Sequence, residues 1–376
     1  MSDERDALIA AVRDFADAEL APNASRWDDE KFFPVDTLRR AGELGLGGVY
    51  VREEFGGSDL SRLDAVAVFE ELAKGDTTIA AYISIHNMVA WMIDTFGDDA
   101  QRERWIPGLT AMTHLGSYCL TEPGAGSDAT AITTSARRDG DDYVIDGVKQ
   151  FVSGAGSSAV YIVMARTGDA GAKGISAIVV PDGTPGLSFG RNEKKMGWNA
   201  QPTRQVVLDG VRVPVANRLG AEGAGFGIAM KGLNGGRLNI AACSIGGAQW
   251  ALDRALDYVH ERETFGAPLA ANQSIVFTLA DMETDLQAAR ALLDRAAAKV
   301  DEGALDIVPA CAMAKRFATD AAFRVADQAL QLHGGYGYLH EYGIERVVRD
   351  LRVHQILEGT NEIMRLIVGR NLVSGS

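Results

Sequence analysis

The stretch Thr121-Glu122-Pro123-Gly124-Ala125-Gly126-Ser127-Asp128-Ala129 decides the fold. It contains G-x-G-x-x-A, the spacing of a dinucleotide fingerprint, and that reading alone would predict a doubly wound α/β protein. The fingerprint requires a helix directly after the glycines, so that a pyrophosphate meets a helix N-terminus. Here residues 130–135 and the Asp139-Gly140 pair predict another strand. What remains is a Gly-rich loop of free N–H groups and hydroxyls at a strand end, suited to a flat polar ring or a phosphate. A plain tight turn explains the same residues taken alone.

Working outward, short β-type runs surround the loop: Tyr118-Cys119-Leu120, Tyr143-Val144-Ile145, Val160-Tyr161-Ile162-Val163, 175–180 and Val206-Val207-Leu208. Gly, Asp and Pro punctuate them, as in Asp139-Gly140 and Asp146-Gly147. Strands this close together, without helical spacers, predict an antiparallel barrel or sandwich. Helical patterns lie on both sides. Leu8, Val12 and Phe15 repeat at helical spacing until Pro22 stops the run. Ser61 with Asp64 resembles a capping box. The run 77–96 holds one acidic residue, Asp94, and no lysine or arginine, which predicts a helix buried on all sides. After residue 223, amphipathic stretches cover roughly 238–262, 273–301 and 307–332, and a last helix begins near Asn361. Long helices with short connections predict a four-helix bundle. The fold class is therefore α+β: an N-terminal α-helical domain (1–115), a middle antiparallel β-barrel-like domain (116–222) and a C-terminal helical bundle domain (223–376).

Composition limits the function. The 376 residues are 47% apolar and 23% charged, enough for a large core. The formal net charge of −14 repels phosphate backbones, so nucleic-acid or anionic-membrane binding is not expected. Cys119, Cys243 and Cys311 are far apart and the six histidines show no ligand spacing, so no metal is expected. The acidic start at 1–6 lacks a leader pattern, the end at 373–376 matches no retention signal, and no run of about 18 apolar residues spans a bilayer. A cytoplasmic protein is expected.

Four further segments carry chemistry. Phe151-Val152-Ser153 places an aromatic and a hydroxyl on one side of a strand, to stack on a planar cofactor and bond its edge; core packing explains the Phe equally well. Arg262 closes a long helix, where a cation suits either the helix dipole or a cofactor phosphate. Gln331-Leu332-His333-Gly334-Gly335-Tyr336-Gly337 ends another helix in more glycines than a C-cap needs, which suits close backbone approach to a ligand. Glu358-Gly359-Thr360-Asn361-Glu362 follows Ile356 and Leu357; a carboxylate there is either solvated or, in apolar surroundings, a base of raised pKa.

In order and content, 118–128, the Arg262 segment, 331–337 and 358–360 resemble the acyl-CoA dehydrogenase family along almost the whole chain. The resemblance implies FAD, a homotetramer with flavin sites shared between subunits, and an electron-transferring flavoprotein as acceptor. It places Tyr118, Leu120, Thr121, Gly126, Ser127, Phe151, Val152 and Ser153 about the flavin ring. Phe151 and Ser153 stand where many relatives carry Trp and Thr. Arg262, Phe265, Gln273, Gln331, Gly334 and Gly335 would contact the FAD of an adjacent subunit, and Thr360 and Glu362 would also touch FAD. Ser127, Asn234, Arg237 and Arg370 would bind the acyl-CoA substrate. Segments 83–88, 90–97, 197–204, 232–237 and 352–358 resemble the branch of the family that oxidises isobutyryl-CoA in valine breakdown.

The implied reaction has Glu358 take the proton from Cα while flavin N5 takes the hydride from Cβ, with the thioester carbonyl bonded by the Glu358 N–H and a ribityl hydroxyl. Alternatives within the resemblance are a short straight-chain or 2-methylbutyryl-CoA dehydrogenase, an acyl-CoA oxidase, or a non-catalytic binding protein on this fold.

Overall fold

The computed structural model describes residues 2–374. Met1, Gly375 and Ser376, on which part of the targeting-signal reading rests, lie outside them. The first zone is helical: α1 (Ser2–Phe15), α2 (Ala24–Glu30), α3 (Val35–Glu43), α4 (Arg62–Gly75), α5 (Thr77–Phe96) and α6 (Asp99–Thr110). A π-helical turn, Ala16–Leu20, extends α1 before Pro22 ends the run. The Ser61 hydroxyl caps α4 by accepting the Asp64 N–H at 3.0 Å, and Asp76 caps α5 by accepting the Ile79 N–H at 2.9 Å. Helix α5 is buried around nearly its whole circumference. Its single acidic residue, Asp94, is buried and paired with Arg52 at 2.7 Å.

The second zone is a sheet of eight strands: β1 (Gly116–Cys119), β2 (Ser135–Asp139), β3 (Asp142–Ser153), β4 (Val160–Arg166), β5 (Ile175–Pro181), β6 (Leu187–Phe189), β7 (Thr203–Pro214) and β8 (Arg218–Leu219). Their order is β6-β7-β3-β2-β4-β5-β8, with β1 also on β4. The sheet is mixed. Most neighbours are antiparallel, as the tight spacing predicts, but β4 pairs parallel with both β1 and β2. The chain reverses at each end of β3, so β4 runs in the direction of β2. Of the two expected turns, Gly140 does join β2 to β3, at φ 65°. Asp146-Gly147 does not: it lies inside β3 at a register shift. A Cβ on Gly147 would stand 2.4 Å from Thr134 Oγ1, so the glycine serves close approach within the sheet.

The last zone contains α7 (Gly225–Glu261), a small hairpin of β9 (Glu263–Thr264) and β10 (Ala267–Pro268), then α8 (Gln273–Asp301), α9 (Ile307–His333), α10 (Ile344–His354) and α11 (Asn361–Ser374). Helix α7 begins well before the apolar periodicity at 238 signals it, and α10 is additional to the expected helices. Both α7 and α9, which pack against each other, bury many small residues, among them Ala241 and Ala242 on one and Ala314, Ala318, Ala322 and Ala326 on the other. They let the two backbones approach closely. One apolar cluster continues from Phe69 and Leu72 of α4 through Leu238 of α7 to Leu286 of α8 and Val325 of α9. It locks the N-terminal helices to the bundle. No helix among the described residues is long and apolar enough to cross a membrane, and no group of three or more His, Cys, Asp or Glu among them has the placement of a metal site.

Candidate active site

Glu358 lies in the connection between α10 and α11. It adopts φ 55°, a conformation unfavourable for a side chain other than glycine, and Gly359 follows at φ 87°. Two buried cations pin this turn through its backbone. Arg237 Nε donates to the Glu358 carbonyl at 3.2 Å. Lys315 Nζ donates to the Gly359 carbonyl at 2.8 Å and to Asn361 Oδ1 at 3.0 Å. The carboxylate itself turns inward over α7, and its Oε2 is buried without a hydrogen-bond partner. Burial pushes the carboxyl up to about 7, against the pull of Arg237 and Lys315. The Tyr118 hydroxyl is likewise buried and unpartnered; burial first, and then the Glu358 charge, raise its pKa. A desolvated carboxylate with a near-neutral pKa and a free oxygen can accept a proton from a bound molecule.

Beside this group, Arg237 is buried and its Nη1 donates to Asn234 Oδ1 at 2.8 Å. Asn234, Arg237, Tyr118 and Glu358 thus converge. Thr360 Oγ1 accepts the Ile363 N–H at 3.3 Å and so caps the last helix, while Glu362 is exposed and pairs with Arg365 at 3.4 Å. Arg370 is exposed farther along α11.

The Gly-rich loop is held by a residue to which the sequence reading gave no role. Glu122 Oε2 accepts the Thr133 N–H at 2.7 Å and its hydroxyl at 2.8 Å; Oε1 accepts the Thr134 N–H at 2.9 Å and Lys149 Nζ at 2.8 Å. Burial alone would raise the Glu122 carboxyl, but Lys149 and these donors hold it down to about 2. Lys149, fully buried, also donates to the Leu120 carbonyl at 3.1 Å. The Thr121 carbonyl accepts the Gln150 N–H at 2.8 Å. With its base fixed, the loop presents Gly126 and Ser127 outward, and a Cβ on Gly124 or Gly126 would meet no atom within 4 Å.

Phe151 and Ser153 do stand at one end of β3, but not through regular alternation. The strand shifts register between Lys149 and Val152, and Phe151 adopts φ 57° with 66% of its surface exposed. Val152 between them is buried. Ser153 Oγ accepts Gln201 Nε2 at 3.2 Å, and the Ser153 carbonyl accepts the Ser117 hydroxyl at 2.6 Å.

A second concave region lies at the other end of α7. Arg262, Gln331, Gly334 and Gly335 line a cleft of about 480 Å³ together with Tyr258 and Tyr336. The Arg262 guanidinium lies 5.6 Å from the centre of the Tyr336 ring. Phe265 is fully exposed at φ 56° in the β9–β10 turn, and Gln273 is exposed at the start of α8. Arg237 lies on α7 and Arg262 caps its end, 25 residues on, so roughly 37 Å separates them. A single chain therefore keeps the Arg262 cleft apart from Glu358.

The donors fit a flavin dinucleotide. The unpartnered Tyr118 hydroxyl and the exposed Phe151 ring suit a planar heteroaromatic. Open backbone at Gly334 and Gly335 beside a guanidinium suits a pyrophosphate.

Comparison with known proteins agrees along the chain. Residues 2–113 match "Acyl-CoA dehydrogenase, N-terminal domain", 117–211 the middle domain and 223–373 the C-terminal domain of the same family. The chain is 52% identical to the mitochondrial isobutyryl-CoA dehydrogenase of Bos taurus, over 99% of this chain and 90% of the relative. It is 51% identical to that of Dictyostelium discoideum with the same coverage. The solved butyryl-CoA dehydrogenase of Megasphaera elsdenii superposes with a TM-score of 0.96 at 40% identity, covering 99% of both chains.

Proposed function

The chain belongs to the acyl-CoA dehydrogenase family, and from that membership we propose that it oxidises a short branched acyl-CoA, isobutyryl-CoA to methacrylyl-CoA, in valine breakdown, with Glu358 as the base. It is an FAD-dependent oxidoreductase. The observation that carries the role of Glu358 is its buried, unpartnered Oε2 at a pKa of about 7.

Glu358 takes the Cα proton of the bound thioester. Its left-handed turn holds the carboxylate toward the substrate space, and Arg237 and Lys315 keep that turn in place. The Glu358 N–H donates to the thioester oxygen and stabilises the negative charge that develops there. Entry of an apolar acyl group removes water from the carboxylate and strengthens its basicity. When bound, FAD supplies the acceptor for the hydride that leaves Cβ. In our reading Tyr118, Leu120, Thr121, Gly126, Ser127, Phe151, Val152 and Ser153 hold the flavin ring, with Thr360 and Glu362 touching it, and Ser127, Asn234, Arg237 and Arg370 bind acyl-CoA.

Arg262, Phe265, Gln273, Gln331, Gly334 and Gly335 would complete the FAD site of a neighbouring subunit. The length of α7 between Arg237 and Arg262 supports this division and, with it, a homotetramer. An electron-transferring flavoprotein would reoxidise the flavin. The three cysteines are free and buried, which suits the reducing cytoplasm. A panel of CoA thioesters tests the substrate: isobutyryl-CoA should exceed octanoyl-CoA in kcat/KM, with partial activity on butyryl-CoA and 2-methylbutyryl-CoA, because one methylene changes binding by only ~1–3 kcal/mol. A preference for long straight chains would reject the branched-chain reading.

A further inference from the structure

We propose that Lys315 is a positioning residue for the base: from α9 it grips the backbone just beyond Glu358, holds the turn that aims the carboxylate, and places a positive charge near it. This rests on the reading of Glu358 as the base.

Lys315 is wholly buried, yet its two hydrogen bonds go to neutral oxygens, those of Gly359 and Asn361. A buried ammonium on neutral acceptors is costly, and a purely structural clamp would need no charge. Asn361 is itself held by the same helix, its Nδ2 donating to Thr319 Oγ1 at 2.9 Å and to the Asp320 carboxylate at 2.7 Å. Arg237 holds the Glu358 carbonyl from the opposite helix. The turn is therefore suspended between two cations, and Glu358 Oε2 is left unbonded. A direct salt bridge would occupy the lone pair that must take the proton. A bond to the next carbonyl keeps the charge close and the lone pair free.

The charged and titratable groups about this pair come from several elements. Arg237 and Lys315 act on Glu358, and the phenols of Tyr118 and Tyr50 feel its charge. Burial lowers Lys315 to about 7, while Glu358 first, then Asp320 and Glu362, hold it up and Arg237 opposes them. His354 of α10 is pushed down by burial and by Lys315. Glu358 and Lys315 thus each favour the other's charged form.

The test follows Glu358 directly, by ¹³C NMR of protein labelled at the glutamate carboxyl carbon, with Glu358→Gln identifying the resonance. In Lys315→Met the Glu358 titration should move up by roughly 1–3 units, the scale of a lost neighbouring charge. Anaerobic flavin reduction by isobutyryl-CoA at pH 7 should fall about 10- to 100-fold, with acyl-CoA binding little changed. Lys315→Arg should return the titration toward wild type and recover part of the rate. Should Lys315→Met fail to fold, Lys315→Gln, which still donates to the Gly359 carbonyl without charge, is held to the same upward shift. A neutral variant that loads FAD and titrates as wild type overturns the proposal, as does Lys315→Arg if it leaves the titration where the neutral variant puts it. If Glu358→Gln itself reduces flavin near the wild-type rate, the fault lies with the base reading; if it does not, an unmoved titration counts against Lys315 alone.

Discussion

Gly236 lies against the carboxylate of Glu358: a Cβ built on it would stand 2.7 Å from Oε2 and 2.8 Å from both Cδ and Oε1. The Glu358 carboxylate occupies the space a side chain on α7 would fill. Gly235 beside it is equally constrained, with Arg62 Nη1 2.8 Å from a Cβ there. Gly236→Ala should displace Glu358 while leaving the fold intact, because the obstruction is a single side chain. A shift of about 1 Å in a catalytic group costs on the order of 100-fold. The check is stopped-flow flavin reduction with FAD content measured in parallel; a variant that reduces at the wild-type rate would show that the carboxylate does not work from this position.

The pKa of about 7 gives Glu358 a visible titration. Only the ionised carboxylate accepts a proton. The kcat/KM for isobutyryl-CoA should therefore rise with pH up to about 7 and fall about tenfold per unit below it. A profile flat down to pH 5 would mean that the carboxyl is not raised in the free enzyme.

Glu122 and Lys149 anchor the Gly-rich loop as a buried pair. The Glu122 carboxyl is held below its unfolded value, so its contribution is present above the ordinary carboxylate range and is lost as pH falls toward about 2. Glu122→Gln leaves Lys149 buried without its counter-charge, at a cost of about 3–5 kcal/mol. Chemical denaturation should show that loss at pH 7, with earlier release of FAD on heating. An unchanged midpoint would mean that the pair does not stabilise the loop.

Arg262→Ala should lose FAD and weaken subunit assembly together, since a cofactor held between subunits stabilises them by mass action. Sedimentation with simultaneous flavin absorbance measures both. Full FAD occupancy in an unaltered assembly would separate Arg262 from the cofactor.

The parts of the fold legible in sequence were those with strong periodicity. The all-round apolar run at 77–96 could only be a buried helix, and α8 and α9 carry unbroken amphipathic patterns. The start of α7 was hidden because Gly225, Gly227 and Gly232 interrupt its pattern, and two of them make sense only once β5 packs against Gly225 and α5 against Gly232. The parallel pairing of β1 with β4 is a long-range contact with no local signature. At the site, Glu358 stood out by its apolar neighbours and its motif. The left-handed backbone shared by Phe151, Phe265 and Glu358 did not, because no residue type there announces it. Lys315 left one trace: it falls four residues after Cys311 on the small, apolar stripe of α9, where a lysine is out of place.

The central claim is that Glu358 removes the Cα proton, and Glu358→Gln tests it most directly. The amide keeps the size and polarity of the carboxylate and removes its proton affinity. The variant should fold, retain FAD and bind acyl-CoA near normally. Anaerobic stopped-flow bleaching of the flavin by isobutyryl-CoA should slow by at least about 100- to 10,000-fold, the range of positioned base catalysis. Bleaching at more than about a tenth of the wild-type rate, well outside that range, would place the base elsewhere and contradict the account.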